Sequence, residues 1–430
     1  MVSTRHPEPT TRSPRRRTPT PLSIEGMFRH LNSRGDGDIF AKAYSFTLTE
    51  QARAAQVYPF FQPLDVNDGP VARIYGKPVL MFGSNNYLGL TRHPKVMEAA
   101  RKAISKYGTS MTGSRLLNGS THLHEELEQR IARFLGKEAA LVFTTGYQAN
   151  LGTLSALVTR HSVALVDKAD HASIYDGCRL ADGDMIRFRH NDPADLESLF
   201  KRRVGERDCL VVIDGVFSMG GDIADLPRII EITRRHGARL LVDDAHAIGV
   251  IGEGGRGTGS HFGMADGVDL VIGTFSKSLA SIGGFVAGPR AVMEWIRHFG
   301  RAMMFSASLP PSATAAALAA LDVLEREPEM VERLRSLATM WREGLKSLGY
   351  DIGESQTPIV PIHVGDEYMT VVFWKTLIEH GVYTNPVVYP AVPRGKGILR
   401  TSCMATHTPE QIEQALEQFR AVSGKLGVLS

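Results

Sequence analysis

Short apolar runs alternate with amphipathic helical stretches from about Gly76 onward, and this alternation constrains the fold more than any other feature of the chain. The runs are too continuous for half-exposed strands, so they predict buried parallel strands. Such an alternation is typical of an α/β fold with a large, doubly wound, mainly parallel sheet. The predicted strands are Ala139–Phe143, Val163–Val166, Leu210–Asp214, Leu240–Asp243 and Asp269–Thr274, and the clearest helices between them are His122–Leu135 and Leu226–His236.

The pattern changes after Pro310-Pro311 to two long helices, Ala313–Glu325 and Met330–Leu348, followed by mixed short strands and helices. We therefore predict a large domain over residues 76–312 and a smaller α+β C-terminal domain over residues 313–430.

Two N-terminal segments precede these domains. Residues 1–21 carry five arginines and one glutamate among Pro, Thr and Ser, which predicts a disordered basic tail. Residues 22–75 are predicted to form a helical arm, because Ile24, Met27, Phe28 and Leu31 recur at helical spacing behind Ser23.

The composition excludes several classes of protein. The net charge is +3, of which the tail supplies +4, so the body is close to neutral and no nucleic-acid partner is expected. No apolar run approaches the roughly 20 residues of a membrane span, so we expect a cytoplasmic protein with at most peripheral membrane contact. Cys178, Cys209 and Cys403 lie far apart, which predicts buried reduced thiols and no metal site.

The strongest local signal joins a carboxylate to a lysine. Leu241-Val-Asp-Asp-Ala-His246 is followed 31 residues later by Lys277, and both segments lie at the carboxyl ends of predicted strands, where α/β sheets bind ligands. Pyridoxal 5'-phosphate (PLP) needs a lysine for its Schiff base and a carboxylate beside its ring nitrogen. Alone, Lys277 would be one of 49 basic residues; paired with Asp243 it predicts a PLP site.

Phosphate binding needs amide donors at a helix N-terminus. Thr144-Thr-Gly146-Tyr147 lies between a predicted strand and a helix, and Gly146 permits close approach of the backbone. Such a turn occurs in every α/β protein, so it predicts a phosphate site only in combination with Lys277 and Asp243. Thr274 and Ser276 place hydroxyls near Lys277, where they either contact phosphate or cap a turn.

Two histidines complete the candidate site. His171 follows a strand end and is suited to stack on the pyridine ring, and His246 is suited to bond the phenolic oxygen; either could instead be a satisfied structural histidine. His122 and His124 lack a third metal ligand. The Gly252–Gly257 segment matches GxGxxG by count, but with no helix predicted at its end it favours a mobile loop at the pocket mouth over a dinucleotide site.

An ordered set of motifs resembles the α-oxoamine synthase family, a fold-type I group of PLP-dependent acyltransferases. The resemblance runs from about Val57 to the C-terminus and implies homodimers whose active sites are built from both subunits. The motifs are Ser84-Asn-Asn-Tyr-Leu-Gly-Leu90, Gly113-Ser-Arg-Leu-Leu-Asn-Gly119, His171-Ala-Ser-Ile-Tyr-Asp-Gly177, Asp243-Asp-Ala-His246, Thr274-Phe-Ser-Lys277 and Phe305-Ser-Ala-Ser-Leu-Pro-Pro311.

The resemblance also implies roles for individual residues. Lys277 would form the Schiff base, Asp243 pair with the pyridinium, His171 stack on the ring, and His246 and Ser218 contact the ring oxygen. The phosphate would be held by Gly146, Tyr147, Thr274 and, from the neighbouring subunit, Ser306 and Ala307. Arg400 and Asn85 would bind the amino-acid carboxylate, for which a guanidinium is well suited.

The implied reaction joins an amino acid to an acyl thioester with loss of carbon dioxide. The motifs are most similar to the bacterial serine palmitoyltransferase branch, which implies serine and a long-chain acyl-CoA. One segment departs from that branch: Val388 stands where it has an arginine, as in glycine-using members. Glycine C-acetyltransferase, 8-amino-7-oxononanoate synthase and 5-aminolevulinate synthase activities, an acyl-carrier-protein donor, a plain aminotransferase and a non-catalytic partner subunit remain the alternatives.

Overall fold

The computed structural model describes residues 38–428, in two compact units that divide between Tyr58 and Pro59. Within its described residues, 38–58, the first unit contains two short helices, α1 (Ala41–Tyr44) and α2 (Leu48–Ala54), and the Arg53 guanidinium lies 4.1 Å from the centre of the Tyr58 ring. The predicted tail and the helix predicted after Ser23 lie outside the described residues.

The second unit contains three sheets and the remaining helices. Its strands are β1 (Val66–Asp68), β2 (Val71–Ile74), β3 (Lys77–Met81), β4 (Ala139–Phe143), β5 (Ser162–Asp167), β6 (Asp184–Phe188), β7 (Asp208–Asp214), β8 (Arg239–Asp243), β9 (Leu270–Thr274), β10 (Gly284–Gly288), β11 (Ile359–Gly365), β12 (Val382–Tyr383), β13 (Asn385–Val387) and β14 (Gly397–Ser402). Its helices are α3 (Pro94–Tyr107), α4 (His122–Leu135), α5 (Gly146–Leu157), α6 (Ala172–Leu180), α7 (Pro193–Leu199), α8 (Leu226–Arg235), α9 (Thr258–His261), α10 (Arg290–Phe299), α11 (Arg301–Met304), α12 (Pro311–Arg326), α13 (Glu329–Ser347), α14 (Glu367–Glu379) and α15 (Pro409–Leu426). Shorter turns of 3₁₀ or π helix lie at Leu90–Arg92, Phe200–Val204, Glu253–Gly255 and Ala265–Gly267.

The largest sheet has seven strands in the order β4-β10-β9-β8-β7-β5-β6. Every pairing is parallel except those of β10, which runs antiparallel to β4 and β9. Its central strands are buried on both faces, as their continuous apolar sequences predict. The predicted doubly wound, mainly parallel sheet is confirmed, and each predicted strand starts and ends within two residues of the observed one.

The predicted helical arm, residues 22–75, needs a correction. Strands β1 and β2 lie inside it, and β2 continues into β3 through the tight turn at Tyr75-Gly76. The predicted boundary between residues 75 and 76 therefore cuts a hairpin. Strand β3 of this hairpin pairs in parallel with β12, and the apolar side chains of the hairpin pack around Met404 from the C-terminal part of the chain.

The third sheet has the antiparallel order β11-β14-β13 and packs with α14. Trp341, on α13, is buried against Phe82 and Phe419, and its indole N–H donates to Thr401 Oγ1 at 2.9 Å. Helix α12 packs on α3 and α4 rather than on this sheet. The α+β character of the C-terminal part is as predicted, while the division at residue 312 stays a prediction.

The thiols of Cys178 and Cys403 are buried, whereas Cys209 is half-buried, unlike the expectation of three buried thiols. Burial raises the pKa of the Cys178 and Cys209 thiols to about 12. No helix within residues 38–428 has the length and apolarity needed to cross a bilayer.

Candidate active site

Lys277 and Asp243 meet at the carboxyl edge of the large sheet, as predicted. Asp243 ends β8, and Lys277 lies three residues beyond the end of the neighbouring strand β9. Lys277 lines a cavity of about 590 Å³ together with Asn85 and Ser276. Burial lowers the pKa of the Lys277 amine to about 8, although the nearby carboxylates of Asp243 and Asp214 oppose this shift. A neutral, nucleophilic amine is therefore accessible near neutral pH.

Asp243 is only 5% exposed and is held by two donors. The Asn150 amide donates to Asp243 Oδ2 at 2.7 Å, and the main-chain N–H of Ala245 donates to Oδ1 at 3.0 Å. The same Asn150 amide donates to Ser173 Oγ, which in turn bonds His171 Nδ1 at 2.7 Å. Asn150 and Ser173 therefore hold Asp243 and His171 in one network.

Neither Asn150 nor Ser173 is among the residues predicted from the sequence. Asn150 offers a weak signal, because it lies four residues after Gly146 on the buried face of α5, where an amide needs partners. His171 itself begins α6 as its N-cap, and its exposed ring leaves space for another ring beside it.

A second buried carboxyl group, that of Asp214, lies beside this network. Burial, followed by the charge of Asp243, raises the pKa of Asp214 well above its usual range, so this carboxyl group is neutral near neutral pH. Asp243 is therefore the carboxyl group of this edge that is suited to face a cationic ring nitrogen.

The Gly146 turn has the form of an anion site. Thr145 caps α5 by accepting from the Gln148 N–H at 3.1 Å, which leaves the amides of Gly146 and Tyr147 without acceptors inside the helix. A Cβ at position 146 would lie 3.1 Å from Thr274 Cβ, so a side chain there would crowd Thr274. Ser276 Oγ bonds Thr274 Oγ1 at 2.7 Å, beside the same turn.

Ser306 and Ala307 lie next to this turn in the same chain. Gln148 Nε2 donates to Ser306 Oγ at 3.0 Å, and Thr144 Oγ1 donates to the carbonyl of Ala307 at 2.7 Å. Their predicted contribution from a neighbouring subunit stays a prediction. Tyr147 is 42% exposed, and its hydroxyl bonds Asp176.

Arg400 lies on the other wall of the pocket, on β14, and is 6% exposed. Its Nε donates to the main-chain carbonyl of Ser218 at 2.6 Å, and its Nη2 donates to Asn85 Oδ1 at 3.1 Å. The structure thus brings together the three residues predicted here, although Ser218 contributes its carbonyl. Val388 follows β13, which pairs with β14, and is buried at 7% exposure.

His246 is buried between Lys277 and this wall. Burial, with the charges of Lys277 and Arg400, lowers the pKa of its imidazole well below the usual value, so the ring is neutral. Its Nδ1 lies 2.7 Å from the hydroxyl of Tyr87, a fully buried residue that the sequence analysis did not single out.

Two other segments have structural roles. His124 bonds Thr121 and the Leu309 carbonyl, while His122 is exposed and pairs with Glu125. Arg115, from the Gly113–Gly119 motif, forms a buried ion pair with Glu128 at 2.8 Å.

The Gly252–Gly257 segment differs from its prediction. Helix α9 starts directly after it, because the Asp244 carboxylate accepts from the main chain and hydroxyl of Thr258. The segment lines a separate cavity of about 400 Å³ that does not include Lys277.

Comparisons with known proteins agree on one family. Residues 77–419 match the model of aminotransferase class I and II. The chain is 46% identical over 383 residues to serine palmitoyltransferase of Sphingobacterium spiritivorum, covering 89% of this chain and 96% of the relative. It is 42% identical over 381 residues to 8-amino-7-oxononanoate synthase of Thermoanaerobacter pseudethanolicus, covering 88% and 96%.

The solved structure of SPT with the PLP internal aldimine superposes with a TM-score of 0.88 at 38% identity, covering 91% of this chain and all of that one. This likeness confirms the predicted fold-type I architecture. The chain belongs to the class I and II aminotransferase family, and within it to the α-oxoamine synthases that these relatives represent.

Proposed function

We propose that this protein is a PLP-dependent acyltransferase that condenses serine with a long-chain acyl-CoA, releasing carbon dioxide and free CoA and forming a 3-ketosphinganine-type product for sphingolipid synthesis. One observation carries the proposal: Lys277, with a pKa of about 8, lies beside Asp243 at the sheet edge that the Gly146 turn also faces. The identity to serine palmitoyltransferases supports the choice of substrates.

The pocket matches the chemistry of PLP in each of its parts. Lys277 would hold the aldehyde carbon, Asp243 the ring nitrogen, His171 one ring face, and His246 with Ser218 the ring oxygen. The phosphate would be held by Gly146, Tyr147, Thr274, Ser276, Ser306 and Ala307. When bound, PLP supplies an electron sink for the carbanion of the amino acid.

The residues of the chain then have distinct tasks. Arg400 and Asn85 would bind the amino-acid carboxylate and so orient the bonds at its Cα. Lys277, a buried amine with a lowered pKa, would accept the α-proton on Nζ. Asp243, held by Asn150, would face the ring nitrogen.

A second candidate reaction is that of 8-amino-7-oxononanoate synthase. It is favoured by the 42% identity to such a synthase. Val388, which stands where the bacterial palmitoyltransferase branch has an arginine, instead resembles glycine-using members, and an acyl-carrier-protein donor is a separate alternative. A homodimer with shared sites and a cytoplasmic setting complete our proposal.

The test is a matrix of amino acids against acyl thioesters of increasing length, scored by carbon dioxide release and product mass. We expect serine with a long-chain acyl-CoA to give the highest kcat/KM. Transamination without carbon dioxide release would contradict the reaction class, and preference for another amino acid with a shorter acyl chain would favour the second candidate. Failure to bind PLP would end the proposal.

A further inference from the structure

A set of short polar contacts links the two walls of the pocket through Tyr87. Its hydroxyl lies 2.7 Å from His246 Nδ1 and 3.2 Å from Asn85 Oδ1. Asn85 Oδ1 accepts from Arg400 Nη2 at 3.1 Å, and the charge of Arg400 opposes the effect of burial on the pKa of the Tyr87 phenol. One buried phenol therefore contacts the groups that face the substrate carboxylate and the imidazole that faces the cofactor.

The direction of the proton follows from what each partner can donate. Burial raises the pKa of the Tyr87 phenol, and burial lowers that of His246, so both groups are neutral. The Arg400 guanidinium, which has only donors, bonds Ser218 and Asn85, so Asn85 Oδ1 already accepts a hydrogen bond from Arg400. The phenol proton then goes to the closer acceptor, His246 Nδ1, which leaves the imidazole proton on Nε2.

The main chain holds Tyr87 firmly in this place. Its carbonyl accepts from the Ala405 N–H at 2.7 Å, and its own N–H donates to Asn85 at 2.8 Å. Gly89, two residues on, has φ +72°, and a side chain there would lie 2.3 Å from Thr406. These main-chain contacts fix the position of the Tyr87 hydroxyl relative to His246 and Asn85.

We propose that Tyr87 is a positioning residue that keeps the proton of His246 on Nε2, aimed at the cofactor's ring oxygen, and ties this imidazole to the carboxylate-binding pair Arg400 and Asn85. The inference rests on the proposed function. It adds a residue, Tyr87, that contacts no reacting atom itself but fixes the tautomer of His246, which would contact the cofactor.

The test replaces Tyr87 with Phe, which keeps the buried ring and removes only the hydroxyl. We expect the Kd for PLP to rise about tenfold and the visible band of bound PLP to shift in the direction seen in His246→Leu. The KM for the amino acid should rise more than kcat falls. The matched control is Tyr350→Phe, which removes a buried hydroxyl bonded to the Phe419 carbonyl, away from the pocket.

A double-mutant cycle separates positioning from simple stability. If Tyr87 acts through His246, Tyr87→Phe should change the spectrum and the Kd for PLP little further in a His246→Leu background. Fully additive effects of the two substitutions would overturn the inference. So would a Tyr87→Phe protein that loses thermal stability as Tyr350→Phe does while its PLP spectrum is unchanged. Failure of the wild-type protein to bind PLP would instead count against the proposed function.

Discussion

The two walls of the pocket are assembled in different ways. The lysine wall, formed by Lys277 and Asp243, comes from two adjacent strands and the loop after one of them. The arginine wall is formed by Arg400 with Ser218 and Asn85, which lie 182 and 315 residues before it in the sequence. A compact wall formed by one sheet edge suits chemistry that needs fixed geometry, whereas a wall built from distant segments can be altered by a change in any one of them. The lysine wall should therefore govern whether reaction occurs, and the arginine wall which amino acid reacts.

Loss of the amine is the hardest test of the lysine wall. Lys277→Ala should lower turnover by at least about 10³-fold, because it removes both the covalent anchor of PLP and the base that takes the α-proton. Steady-state carbon dioxide release measures this, with Lys168→Ala, an exposed lysine at the same edge, as control. Near-normal turnover in Lys277→Ala would place the chemistry elsewhere.

The arginine wall should respond in a different parameter. Arg400→Lys keeps the charge but cannot donate to Ser218 and Asn85 in the geometry of a guanidinium, so KM for the amino acid should rise about 100-fold with a smaller change in kcat. The matched control is Arg342→Lys, whose guanidinium donates to the Thr357 carbonyl outside the pocket. Equal losses in kcat and kcat/KM would show that the two walls do not divide binding from chemistry.

The same division explains how much could be predicted from the sequence. Asp243, Lys277 and Gly146 follow buried apolar strands, so strand periodicity and the chemistry of PLP suffice to group them. Arg400, Asn85 and Ser218 were named only through family resemblance, since nothing local joins residues hundreds of positions apart. Tyr87 and Asn150 were missed because a buried polar side chain looks like any core residue until its partners are known. The hairpin at β2 and β3 was missed because its strands are only four and five residues long, and β3 also pairs with β12, about 300 residues further along.

Asn150 tests how far the lysine wall depends on its support. Asn150→Ala removes the donor to Asp243 Oδ2 and to Ser173, so the Kd for PLP should rise about tenfold. Thr153→Ala is a close control, because this buried hydroxyl on the same helix has no partner within the described residues. Fluorescence titration of the apo-protein gives both constants, and equal affinities would show that Asp243 needs no such support.

The smallest expected effect concerns the proton on Lys277. With its pKa at about 8, the amine of the apo-protein is about one-tenth neutral at pH 7 and half neutral at pH 8. Covalent capture of PLP, which needs the neutral amine, should accelerate about fivefold between these values and level off above pH 9. Stopped-flow absorbance measures the rate, and Lys277→Ala gives the pH dependence of non-covalent uptake for subtraction. A rate that keeps rising tenfold per unit to pH 10 would mean that burial does not depress this pKa, and that the lysine wall lacks the desolvation on which its reactivity depends.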